Sequence, residues 1–223
     1  MKTSKLLSVC LTIVCVNFST RSQGFVNLNF ESAIITPDPS SPYYPNAVYA
    51  SNAIPGWTAT GFIGPNDILY NSASLGSTSV SILGTNGIPP AIDGAYSVLL
   101  YGGDTATSAS INQTAIVPVS ADSLLFKAQG SGGTLLVSLG GQNISFFTLS
   151  TGSNYTLYGG NIPTGFNGQN EQLMFSALAG ENNAWNIDDI QFSSLPVPEP
   201  SVFALTAFGA LFLGFRRCRS SSR

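Results

Sequence analysis

The chain reads as all-β, a single antiparallel domain built as a sandwich or barrel, on three observations. Between Phe25 and Ser194, short stretches rich in β-branched and aromatic residues alternate with clusters of Gly, Asn, Pro and Ser. That is the spacing of strands joined by turns rather than of βα units. No long window carries a helical apolar stripe. The segment between the two terminal apolar runs is about 170 residues long, enough for one hydrophobic core.

The elements follow in order. Residues 25–30, Phe-Val-Asn-Leu-Asn-Phe, alternate apolar and polar and predict a half-buried first strand. Strands are predicted next over 57–62, 67–70, 80–83, 96–101, 109–117, 123–128 and 134–139. Gly140-Gly141 then predicts a hairpin into 144–149, because glycine supplies the positive φ of a tight turn. Residues 155–158 and 171–177 come next, and 185–192, Trp-Asn-Ile-Asp-Asp-Ile-Gln-Phe, close the domain with the same alternation as the first strand.

Outside the domain, the two ends read as targeting segments. Lys2 and Lys5 precede an apolar stretch over 6–18, the n-region and h-region of a secretory signal peptide over 1–23, with cleavage between Ser19 and Gly24 and export through the Sec translocon. At the other end, Pro196-Val197-Pro198-Glu199-Pro200 removes backbone donors and disfavours helix, so an extended, accessible spacer is expected there. An uncharged run over 201–215 follows, then Arg216, Arg217 and Arg219. A helix over that run would be about 22 Å long, a thin or partly embedded membrane span with the arginines at its inner face.

Val197-Pro198-Glu199-Pro200, the apolar run and the arginine cluster together resemble the PEP-CTERM sorting signal of Gram-negative bacteria that make extracellular polysaccharide. The resemblance covers 196–219. It implies that an exosortase, a membrane-embedded cysteine transpeptidase-like enzyme, recognises the tail. It implies also that the protein is anchored in the envelope by its C-terminal helix and then sorted to the cell surface or matrix.

Composition excludes several classes of function. Lys127 is the one cation between Phe25 and Leu195, against ten carboxylates, so the domain carries a net charge near −9. Nucleic acid is thereby excluded as a partner, since phosphate binding rests on Lys and Arg. The three cysteines, Cys10, Cys15 and Cys218, lie in the terminal segments, and the chain has no histidine. That removes Ser-His-Asp and Cys-His catalysis and nearly every form of zinc site. For glycoside cleavage the candidates are Asp67, Asp93, Asp104 and Glu171, each beside a turn residue where surface loops commonly carry acids. The expectation is a protein without enzymatic activity.

Four short motifs carry a second resemblance: Asn-Leu-Asn-Phe-Glu ending at Glu31, Pro55-Gly56-Trp57, the run from Asp93 to Leu99, and Trp185-Asn186-Ile187-Asp188-Asp189. They are similar to the jelly-roll domains of the galactose-binding-like and carbohydrate-binding-module superfamily. The resemblance sharpens the fold class to a single antiparallel β-sandwich, a jelly roll over 24–195, preceded by the signal peptide and followed by the C-terminal transmembrane helix. It implies that the first and last strands bring Glu31 near Asp188 and Asp189 around a structural calcium. An oxygen-only set suits that hard cation. The same acids also read as solvated charges at a strand edge. Asp189 is the favoured direct ligand, which requires a bulge or strand end, because in a flat strand it would point inward with Trp185 and Ile187.

Two roles then stand for the domain: a structural or interaction protein of the surface or matrix, or a lectin-like module that binds polysaccharide. For the second, exposed tyrosines would form flat sugar platforms, with Tyr43, Tyr44 and Tyr49 first and Tyr70 and Tyr101 as further candidates. The competing reading is rim tyrosines with packed rings and wet hydroxyls.

Overall fold

A computed structural model describes residues 24–198 apart from 44, 62, 64–65, 73–76, 104–106 and 181–182. The signal peptide, Tyr44, Asp104, Glu199, Pro200, the run over 201–215 and the terminal arginines fall outside the described residues. Among the described residues no helix is long and apolar enough to cross a membrane.

The elements are β1 (Ala47–Tyr49), the one-turn α1 (Ala50–Ala53), β2 (Thr58–Thr60), β3 (Asp67–Tyr70), β4 (Ser79–Gly84), β5 (Tyr96–Tyr101) and β6 (Ala109–Ile116). They continue with β7 (Ser123–Gly130), β8 (Leu135–Leu139), β9 (Gln142–Asn143), β10 (Phe147–Thr151), β11 (Thr156–Asn161), β12 (Asn170–Ala177) and β13 (Ala184–Ser193). One sheet has the order β1-β3-β4-β5-β13-β7-β11-β10 and the other β2-β6-β12-β8-β9. The two pack as a sandwich whose core runs through Phe30, Trp57, Phe126 and Phe175, with tilted and edge-on ring contacts between neighbours.

Three expectations are corrected. Residues 25–30 do not form a strand despite their alternation. Asn27 and Phe30 take positive φ (50° and 56°), and Phe30 N–H returns to the Asn27 carbonyl in a turn. That carbonyl also receives the Trp57 indole N–H, and the Asn27 side chain accepts from Ser32 N–H. A buried ring at Phe30 and local Asn bonding outweigh the extended pattern. Next, residues 144–149 are not one strand. The Gly140-Gly141 hairpin forms as expected, with φ of 57° and 76°, but it leads into the two-residue β9; the chain then crosses to the other sheet and resumes as β10. Finally, the sandwich is not wholly antiparallel, since β3 and β4 pair in parallel over Leu69↔Ser81 and Tyr70↔Ile82. Strand β1 and helix α1 were not foreseen; they are too short to show a period.

Candidate functional site

Strand β13 organises the functional face. It lies between β5 and β7, and its residues alternate between the core, where Ile187 sits, and the outer face of the eight-stranded sheet. On that face Ala184 stands opposite Tyr101, Asn186 stands between Leu99 and Gln129, and Asp188 faces Lys127. The segment between β4 and β5 runs over these rows. Its Pro90 carbonyl accepts from Asn186 Nδ2 at 3.3 Å, its Ile92 carbonyl accepts from Asn154 Nδ2 at 2.9 Å, and its Asp93 reaches Lys127. Two concavities result, sharing one strand and one loop.

The first is a groove of about 280 Å³ lined by Pro89, Leu99, Tyr101, Gln129, Ser131 and Asn186, among others. Its floor is apolar, its polar side chains are amides and hydroxyls, and none of its described lining residues is charged. Asn186 is 1 % exposed, and its Oδ1 is buried without a hydrogen-bond partner. A buried acceptor left so is costly, and Asn186 is one of the residues that line this groove. Of the candidate tyrosines, Tyr101 lines this groove. Tyr43 and Tyr49 lie by β1 instead, where the Tyr49 hydroxyl donates to Asp38 at 3.1 Å with the residue 37 % exposed. Tyr70 packs half-buried against the core.

The second concavity, about 240 Å³, is lined by Asn29, Glu31, Asp93, Gly94, Asp188 and Asp189. The three predicted acids therefore line one concavity, and a bulge places Asp189 there. From Asp188 to Gln191, β13 advances three residues while β7 advances two, and Asp189 takes φ of 46°. The bulge turns Ile190 N–H outward to the Leu28 carbonyl at 2.9 Å, which fastens the Asn29–Glu31 segment alongside. Glu31 Oε1 accepts from Ala95 and Tyr96 N–H at 2.8 and 3.1 Å. Gly94 sits beneath with φ of 55°, where a side chain would run into that carboxylate.

Lys127 dominates the electrostatics here. Its ammonium lies 2.5 Å from Asp93 Oδ2 and 2.9 Å from Asp189 Oδ2, and 5.1 Å above the Tyr155 ring. The hydrogen bond from Lys127 holds the Asp93 carboxyl below the usual carboxylate range, and Asp93 in turn raises Lys127. Asp188 is treated otherwise. It is 1 % exposed; its Oδ1 accepts from Asp189 N–H, and its Oδ2 has no partner. Burial above all, then the neighbouring Asp93, Glu31 and Asp189 charges, push its pKa up to about 8. The donors are all oxygen, the chemistry of a hard cation, and a buried orphan oxygen is what such a cation would satisfy. Among the described residues, however, no three acids converge as a metal-ion set, and Lys127 already bridges Asp93 and Asp189.

Sequence reasoning missed the groove and the role of Lys127. Asn186 and Gln129 belong to no motif. The one available signal was the alternation of Trp185-Asn186-Ile187-Asp188, which puts Asn186 and Asp188 on one face.

What the fold defines is a two-sheet β-sandwich with almost no helix. The chain is similar to TmCBM61, whose structure is in complex with β-1,4-galactotriose, at 17 % identity and TM-score 0.41, covering 76 % of this chain and 96 % of that one. It is similar to the C-terminal family 22 carbohydrate-binding module of Clostridium thermocellum Xyn10B at 16 % identity and TM-score 0.37, covering 73 % and 100 %. A third likeness is to the enzymatically active domain of bacteriophage CBA120 tailspike protein 4, at 17 % identity and TM-score 0.37, covering 62 % of this chain and 19 % of that one. No family model and no curated protein matches.

Proposed function

We propose that this is an exported interaction protein whose sandwich domain binds polysaccharide in the groove between β5, β13, β7 and the β4–β5 segment. The observation that carries the reading is the buried, unpartnered Asn186 Oδ1 in an apolar groove beside Tyr101 and Gln129. A pyranose ring offers apolar C–H faces and outward hydroxyls, and such a groove offers an apolar and aromatic floor with a few fixed amides. The described lining residues include no carboxylate pair of the kind glycoside cleavage uses, which supports binding as the reading. This moves the lectin-like role from Tyr43, Tyr44 and Tyr49 to Tyr101 and Asn186.

The export and sorting half of the reading rests on sequence. The signal peptide takes the chain through the Sec translocon, the tail is recognised by an exosortase-type enzyme, and the domain is delivered to the envelope, then to the cell surface or matrix. Ca²⁺ belongs to the same proposal, on Glu31, Asp188 and Asp189; the orphan Asp188 Oδ2 supports it, and Lys127 is the competing cation.

A glycan array tests the binding role. The wild type should bind a plant or bacterial polysaccharide class, Tyr101→Ala and Asn186→Ala should lose at least about tenfold in affinity, and Tyr43→Ala and Tyr49→Ala should not. Absence of binding to every glycan would return the domain to a purely structural role.

A further inference from the structure

The Pro-Val-Pro stretch expected to be a free spacer is held by the domain. Val197 is 4 % exposed, whereas Pro196 and Pro198 on either side are exposed. Its N–H donates to Asn161 Oδ1 at 2.6 Å, and its carbonyl accepts from Asn161 Nδ2 at 2.9 Å. The flanking prolines have no N–H, so Val197 carries the one backbone donor between Leu195 and Glu199, and a single carboxamide satisfies that donor and the adjoining acceptor. The Val197 side chain closes with Leu125 and Leu149 over Gly159, where even one added carbon would come within 2.9 Å of all three. Just upstream, the Ser123 hydroxyl donates to the Leu195 carbonyl at 2.7 Å.

The domain uses the same device at its other end. Gln113, 6 % exposed, accepts from Val26 N–H at 2.7 Å and donates to the Val26 carbonyl at 3.1 Å. Each end of the folded region is therefore fastened by one carboxamide gripping both polar groups of one valine.

We propose that Asn161 is a latch that ends the domain at Val197, so that the part of the tail open to a processing enzyme begins after it. The inference rests on the sorting-tail reading for its consequence: because Asn161 holds the chain against β11 up to Val197, an enzyme that recognises the tail cuts beyond Val197. Asn161 acts here as a positioning residue.

The test is amide hydrogen exchange at Val197 in the full chain in detergent micelles, with the mature C-terminus from the native cell read by intact mass. In the wild type the Val197 amide should be protected, and Asn161→Ala should speed its exchange at least about tenfold, the weight of one ordinary hydrogen bond. The Val26 amide should be unchanged in that variant, which shows that the fold survives. Gln113→Ala should do the reverse. A Val197 amide that exchanges in the wild type as fast as in an unfolded peptide overturns the latch, as does a mature wild-type chain ending before Val197. A protected Val197 in a chain that ends at Arg223 supports the latch and overturns the sorting reading instead.

Discussion

Asp188 and Lys127 stand directly opposite each other in the β13–β7 register, yet the ammonium of Lys127 goes to Asp93 and Asp189. The bulge after Asp188 is the reason. It swings Asp189 out to the lysine and leaves Asp188 buried with an oxygen unpaired. The domain's one cation thus pairs with the rim of the acid pocket and not with its floor, and the calcium proposed above would compete with it for Asp189.

Lys127→Met should therefore destabilise the apo domain and make it more responsive to Ca²⁺. Because Asp93 is half-exposed, solvent screening keeps the pair modest. A loss of about 1 kcal/mol corresponds to a melting temperature lower by ~2–4 °C in EDTA. Scanning calorimetry with EDTA and with Ca²⁺ checks this; a variant that melts like the wild type in both would contradict it.

Gly94→Ala should cost about 1–3 kcal/mol, because the position combines positive φ with a Cβ that collides with the Glu31 carboxylate. Urea unfolding measures the loss. An alanine variant of unchanged midpoint would mean that the Glu31 bonds to Ala95 and Tyr96 do not hold this turn.

A pH dependence follows from Asp67 on β3. Burial, and then the Asp38 charge, raise its pKa. The folded state keeps this proton to higher pH than the unfolded chain does, so the contribution is complete below the ordinary value of about 4. It is lost as pH rises through the raised, folded value. Asp38 is lowered by its bonds from Ser40, so its own contribution falls away only on the acid side of that window. Asp67→Asn should lessen the fall in stability above about pH 4, leaving the part that the raised Asp188 contributes, measured as urea midpoints across the pH range; a slope equal to the wild type's would count against it.

Much of this was legible in the sequence, and the failures have physical causes. β3 and β5 have the predicted bounds, and most of the other long strands fall within a residue or two, because period-two burial and turn residues are written locally. That Glu31, Asp188 and Asp189 line one concavity follows what the jelly-roll resemblance implied, and the bulge at Asp189 was readable because alternation alone would have buried that residue. The loss of strand over 25–30 was not, because Phe30 is pulled inward against Trp57, a tertiary contact with no local sign. The groove was invisible for a related reason: Leu99, Asn186 and Gln129 become neighbours only through the order β5-β13-β7. The Val197 latch needed Asn161, 36 residues away.

The central claim, that polysaccharide binds in the β5–β13–β7 groove, is tested most directly by the side-chain amide resonances of Asn186 and Gln129 during titration with an oligosaccharide of the class retained on the array. Both should shift in a saturable way, in step with the Tyr101 ring and without change at Tyr43 or Tyr49. Saturable shifts confined to Tyr43 and Tyr49, with Asn186 and Gln129 still, would contradict it.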